Sequence, residues 1–149
     1  MKIQEMLKAT GFKNQALITV GPDELVSAAI KKLVEHDKGA LPVCDDQNEL
    51  VGIITERDII RKCFVQGAEF INKKITDIMT KQVVIATLDD DLDYAINTMK
   101  KEKIRHIPIA DGKRVVGIIS MRDVLGFRYE ETQSESKYMQ LLPKRPTFK

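Results

Sequence analysis

The sequence predicts an α+β fold of two β-α-β-β-α repeats, packed with pseudo-two-fold symmetry and with their sheets facing each other. Three observations carry this. First, Leu50-Val51-Gly52-Ile53-Ile54-Thr55-Glu56-Arg57-Asp58 returns as Val115-Val116-Gly117-Ile118-Ile119-Ser120-Met121-Arg122-Asp123, an offset of 65 residues. Second, Leu41-Pro42-Val43 returns as Ile107-Pro108-Ile109 at an offset of 66. The one-residue difference falls in a polar loop, Asp45 to Asn48 against Asp111 to Lys113, where length changes are tolerated. Third, Val26, Ala29, Ile30 and Leu33 match Leu92, Ala95, Ile96 and Met99. Both sets have i, i+3, i+4, i+7 spacing, the buried stripe of an amphipathic helix.

The elements follow in order. A lead-in segment, Ile3 to Leu7, is matched by Ile75 to Met79. Short apolar runs predict strands at 17–20 and 83–86. The acids of Pro22-Asp23-Glu24 and Asp89-Asp90-Asp91 favour the positive end of a helix dipole and open helices at 23–37 and 89–102. Strands follow at 40–44 and 49–54, then at 106–110 and 114–119, the second pair joined by an Asp111-Gly112 turn. Each half closes on a helix, 56–66 and 121–129. Residues 1–66 thus form the first repeat, 67–76 a linker, 77–129 the second repeat, and 130–149 a polar tail with a short helix through Leu142. One half of this size is marginal alone, so the two must share a core.

The bulk numbers exclude several classes. The chain has 149 residues, 43% hydrophobic and 5% aromatic with no Trp, so the core is aliphatic. A net charge of +2 without clustered Lys/Arg argues against nucleic acid. The start of the chain has no secretory apolar region, and no apolar run is long enough for a bilayer, so a cytoplasmic protein is expected. Cys44 and Cys63 read as reduced, mostly buried thiols. No H-E-x-x-H, G-x-S-x-G or G-x-x-x-x-G-K-[ST] motif occurs, and no Cys/His cluster has metal spacing. Neither an enzyme nor a required cofactor or metal is expected.

The chemistry concentrates in the repeated G-h-h-[T/S]-x-x-D segment. Thr55 and Ser120 stand where a strand opens into a helix, and a Thr or Ser with an acid three residues later is a capping pattern. The same junction also suits a phosphate, because it presents backbone N–H groups at the positive helix end. Thr55 and Ser120 can hydrogen-bond phosphate, and Asp58 and Asp123, one turn on, can accept from ribose hydroxyls. Arg105 and His106, with Lys38 as the weaker counterpart, can neutralise phosphate. Arg57 and Arg122 are expected to point inward less readily than the neighbouring aspartates, and Arg61 to pair with Asp58. His36 is explained by the C-terminal end of its helix.

These residues resemble the CBS-domain pair, or Bateman module, over nearly all of Ile3 to Arg128, most closely its stand-alone prokaryotic type. The resemblance implies AMP, ADP, ATP or another adenosyl compound bound in clefts between the repeats. It implies that Asp58 and Asp123 hold ribose and that Thr55 and Ser120 contact phosphate. Ile18, Thr19, Ala40, Pro42, Ile85, Thr87 and Pro108 would frame adenine. It also implies a homodimer and a regulated partner protein. The basic residues differ between halves, and the site with Ser120, Asp123 and Arg105 is expected to be the stronger. The alternative is a structural homodimer or interaction module whose motifs serve only as helix caps.

Overall fold

A computed structural model describes residues 1–11 and 16–135. Helix α1 (Ile3–Ala9) leads in. The first repeat runs α2 (Val26–Glu35), β1 (Ala40–Cys44), β2 (Leu50–Thr55) and α3 (Glu56–Gln66). Two 3-10 turns, Ala68–Asn72 and Ile75–Asp77, connect to the second repeat of α4 (Leu92–Glu102), β3 (His106–Asp111), β4 (Arg114–Ser120) and α5 (Met121–Glu135). The expected short helix through Leu142 and the tail beyond 135 lie outside the described residues. α5 itself runs past the expected end at 129.

Each repeat is built on an antiparallel hairpin, β1–β2 and β3–β4. Pro42 faces Ile53 and Pro108 faces Ile118 at matching positions. The two sheets meet where Glu49 bridges Arg114 and Leu50 N–H donates to Lys113 O at 3.0 Å.

The strands expected at 17–20 and 83–86 shrink to single parallel bridges, Val20 with Val43 and Ala86 with Ile109. The prolines explain why. Val20 N–H donates to Pro42 O and Cys44 N–H donates to Val20 O; Ala86 stands in the same way between Pro108 and Ala110. The next bond of each parallel ladder would need an N–H from Pro42 or Pro108, which proline lacks.

Helices α2 and α4 begin three residues later than expected. The backbone before each one is engaged elsewhere. Ile75 N–H donates to Glu24 O and Thr76 N–H to Pro22 O, while Ile3 N–H donates to Asp90 O and Gln4 N–H to Leu88 O. The two lead-in segments are therefore exchanged. Phe70, Ile75 and Ile78 pack into the first repeat's core with Val26, Ala29, Leu33, Leu41, Val43 and Ile54. Ile3, Met6 and Leu7 pack into the second repeat's core with Leu92, Ala95, Met99, Ile107 and Ile119. The predicted stripes of α2 and α4 face these cores.

Cys44 is buried, and burial, with Asp45 beside it, pushes its thiol above the ordinary value. Cys63 is exposed, against expectation, because α3 buries none of its side chains.

Phe70 is 2% exposed and comes from the connecting segment, so its truncation tests the exchange. Phe70→Ala is expected to destabilise the protein by about 3–5 kcal/mol in urea unfolding. A surface-like loss below about 0.5 kcal/mol would mean that the connection is not part of the core.

Candidate functional site

Each repeat builds its half of the site from a strand, a junction and a helix. β2 ends at Thr55 and α3 starts at Glu56; β4 ends at Ser120 and α5 starts at Met121. The first N–H of each helix is taken by the start of the middle strand, Glu56 N–H by Gly39 O and Met121 N–H by Arg105 O, both at 2.9 Å. Thr55 Oγ1 accepts from Asp58 N–H at 3.1 Å, and Ser120 Oγ accepts from Asp123 N–H at 3.0 Å. Asp123 closes the reciprocal bond, its Oδ2 accepting from Ser120 N–H at 2.9 Å. Asp58 has no such bond, so its carboxylate is the less committed of the two.

Two clefts result, each crossing between repeats. The first holds Thr55 and Asp58 against Val83, Val84, Lys103, Arg105 and His106. The second holds Ser120 and Asp123 against Asp37, Lys38, Gly39 and Ala40. An apolar pocket adjoins the second cleft and shares Lys38, Ala40 and Ile118 with it; Leu17 and Ile18 line it. Leu17 and Ile18 occupy the repeat positions of Val83 and Val84, so both clefts have an apolar wall of the same origin.

Of the residues singled out in the sequence, Thr55, Asp58, Ser120, Asp123, Arg105, His106, Lys38, Ile18 and Ala40 line these cavities. Thr19, Pro42, Ile85, Thr87 and Pro108 do not. Pro42 and Pro108 are buried in the sheets, and Thr87 is exposed with its N–H held by Asp90 Oδ2 at 2.7 Å. Arg105 and His106 are not private to the Ser120 side: with Gly39 and Glu56 they line both clefts.

Arg57 and Arg122 line the clefts beside Asp58 and Asp123. Arg61 makes no ion pair with Asp58 and lines the first cleft as well. Its spacing, one turn beyond Asp58 on the same helix face, was the available signal. Lys103 was also missed as a lining residue. Its left-handed backbone at φ 56° turns the chain there, and no spacing rule marks it.

His106 sits at the junction of the two repeats. A Cβ on Gly39 would stand 3.0 Å from its Cε1 and Nε2, so the absence of a side chain at 39 lets the ring approach. Burial pushes the imidazole below its ordinary value. The carboxylates of Asp123 and Glu56, one from each repeat, pull the other way, and Arg105 adds to the lowering. No group of His, Cys, Asp and Glu among the described residues has a metal-binding arrangement. No helix there is long and apolar enough to cross a membrane.

Known proteins share this design. The sequence profile of the CBS domain matches residues 12–64 and 75–130. The chain is 36% identical over 142 residues to inosine-5'-monophosphate dehydrogenase of Methanocaldococcus jannaschii, covering 95% of this chain but only 27% of that enzyme. The CBS-domain pair of protein MJ0100, solved with 5-methylthioadenosine and S-adenosyl-L-methionine, aligns with a TM-score of 0.75 at 30% identity, over 88% of this chain and 98% of that one. CBSX2, solved in complex with AMP, aligns with a TM-score of 0.69 at 27% identity, over 79% of this chain and 91% of that one.

The lowered imidazole has a consequence for stability. Between its folded value and the ordinary one near 6.5, the unfolded chain binds the proton more readily. Its contribution is therefore complete above about pH 6.5 and is lost as the pH falls toward the folded value. The melting temperature is expected to drop on acidification through this window, and His106→Gln should flatten that drop. An identical pH profile in the variant would remove His106 from the effect.

Proposed function

The chain belongs to the CBS-domain family, and on that premise we propose that it senses AMP, ADP, ATP or another adenosyl compound in the clefts between its repeats. The observation that carries this reading is the crossed construction. Each cleft takes a hydroxyl and a carboxylate from one repeat, and an apolar wall and a basic group from the other. A nucleoside phosphate has matching parts. Asp58 and Asp123 accept from the ribose hydroxyls, and Thr55 and Ser120 donate to phosphate while their oxygens keep the helix cap. Arg105, His106 and Lys38 offset its charge, and Ile18 and Ala40 give adenine an apolar surface.

A ligand seated this way touches both repeats. It favours whichever packing of the repeats gives it the better contacts, and that difference in affinity is the whole of its regulatory force. A regulated partner protein would read the resulting surface. The structures solved with AMP and with adenosyl compounds support the ligand class.

One observation favours the interaction-module reading. Thr55, Ser120 and Asp123 are already satisfied as caps. Under that reading Asp123→Ala costs about 1 kcal/mol of stability and nothing else. Under the sensor reading, calorimetry with AMP, ATP and S-adenosylmethionine detects binding. Saturating ligand at roughly 100 times Kd should then stabilise the fold by about 2.7 kcal/mol. Asp58→Ala and Asp123→Ala should each weaken one site by about tenfold or more, as the loss of a charged hydrogen-bond acceptor does. No binding of any adenosyl compound would leave the caps as the motifs' only role.

We also propose that two copies associate through α3 and α5. Ile60 and Phe64 on α3 are 69% and 91% exposed, and their repeat counterparts Leu125 and Tyr129 on α5 are 53% and 52% exposed. Ile60 and Phe64 have i, i+4 spacing and give α3 an apolar stripe left exposed to solvent, and Leu125 adds an exposed apolar side chain on α5. Phe64→Glu is expected to convert a dimer to a monomer by light scattering while the circular dichroism stays native. A parent protein that is monomeric at micromolar concentration would overturn the dimer.

A further inference from the structure

We propose that the two clefts divide the ligands between them by charge. The first, built on Thr55 and Asp58, takes an adenosyl di- or triphosphate. The second, built on Ser120 and Asp123, takes an adenosyl compound with one phosphate or none. This rests on the adenosyl-binding reading above and adds to it what each cleft selects.

The inference comes from comparing repeat-related positions. Arg61, Lys103 and Arg105 line the first cleft, while Gly126, Asp37 and Gly39 stand at the corresponding places in the second. Two changes run in the opposite sense, Lys38 where the first cleft has Ile104, and Met121 where the first has Glu56, although Glu56 itself lines both clefts. Around the first cleft, Arg57, Arg61, Lys103 and Arg105 outnumber the carboxylates of Glu56 and Asp58. Around the second, Lys38, Arg105 and Arg122 are outnumbered by Asp37, Glu56, Asp123 and Glu130. Arg105 lines both clefts, so it does not separate them; Arg61 and Lys103 do.

Each added phosphate brings further negative charge. A cleft with surplus cations holds that charge, and one with surplus carboxylates repels it. The neutral parts of the ligand meet repeat-related apolar residues, Val83 and Val84 in the first cleft and Leu17 and Ile18 in the pocket that adjoins the second. A ligand bearing an ammonium or sulfonium group suits the second cleft by the same reasoning.

The pair Lys103 and Asp37 isolates charge from shape. Lys103 follows directly on α4 and Asp37 stands one residue past the end of α2, and both are left-handed, at φ 56° and 50°. Each backbone already carries the other's residue type in the other repeat. Lys103→Asp and Asp37→Lys therefore exchange charge at a conformation each residue is known to accept.

The experiment titrates single-cleft proteins, in which the other site is weakened about tenfold or more, with ATP, AMP and adenosine by calorimetry. Asp123→Ala keeps Thr55 and Asp58 of the first cleft, and Asp58→Ala keeps Ser120 and Asp123 of the second. The ratio of ATP to AMP affinity is expected to be about tenfold higher in Asp123→Ala than in Asp58→Ala. Adding Lys103→Asp to the former should lower that ratio about tenfold, and adding Asp37→Lys to the latter should raise it. Adenosine affinity should change much less than ATP affinity in both charge exchanges. Equal ratios in the two single-cleft proteins overturn the division. So does a ratio indifferent to the exchanges, or a loss of adenosine affinity as large as that of ATP. If the unaltered protein binds none of the three, the adenosyl reading itself falls and the division falls with it. Binding at both clefts with one shared preference removes the division alone.

Discussion

Both clefts depend on one kind of contact, a backbone hydrogen bond from the first residue of a helix to the start of a middle strand. Glu56 N–H to Gly39 O and Met121 N–H to Arg105 O, each 2.9 Å, fix where the helix begins relative to the sheet. A helix start leaves several N–H groups without intrahelical partners. Here the first goes to the strand and the third to the Thr55 or Ser120 hydroxyl. The N–H of Arg57 or Arg122, between them, is the one left uncommitted beside the cleft. Without the strand contact the hydroxyl and the carboxylate would still share a helix face. They would have no fixed distance from the basic groups across the cleft.

The middle strand starts are also where the repeats touch. Gly39 gives its carbonyl to its own helix and yields space to His106 from the other repeat. His106 in turn feels Glu56 from the first repeat and Asp123 from its own. The clefts therefore share a wall of four residues, Gly39, Glu56, Arg105 and His106. A change in charge or position on one side of that wall is present on the other side without any relay through the core.

Much of this was legible in the sequence because duplication repeats the evidence. The stripes of α2 and α4, the paired hairpins and the two junctions each appear twice. Pattern and turn chemistry place them within a few residues. The lost strands at 17–20 and 83–86 were also written in the chain, since Pro42 and Pro108 are part of the repeat. Their effect on a neighbouring parallel strand needs the register, which is a tertiary fact. The late starts of α2 and α4 have the same origin, because Glu24 and Asp90 spend their backbone on segments far along the chain. Asp58 and Asp123 are identical in sequence, yet only Asp123 closes a reciprocal cap. Lys103 and Arg61 entered the site through three-dimensional position, which periodicity does not report for a residue between elements or on an exposed helix.

The exchanged lead-in segments have a consequence for the order of folding. Ile3, Met6 and Leu7 are made before either repeat, yet their core is completed by Leu92, Ala95, Ile107 and Ile119. The first repeat reaches its full core once Phe70, Ile75 and Ile78 are available, while α1 still has no partner. These three apolar side chains thus wait until the second repeat is made, and burying them closes a loop that spans the whole first repeat. Long closures of this kind slow folding more than they cost in stability. The duplicated architecture therefore assembles in an order that its symmetry conceals: the first repeat can close early, and the segment that precedes it is among the last to be covered.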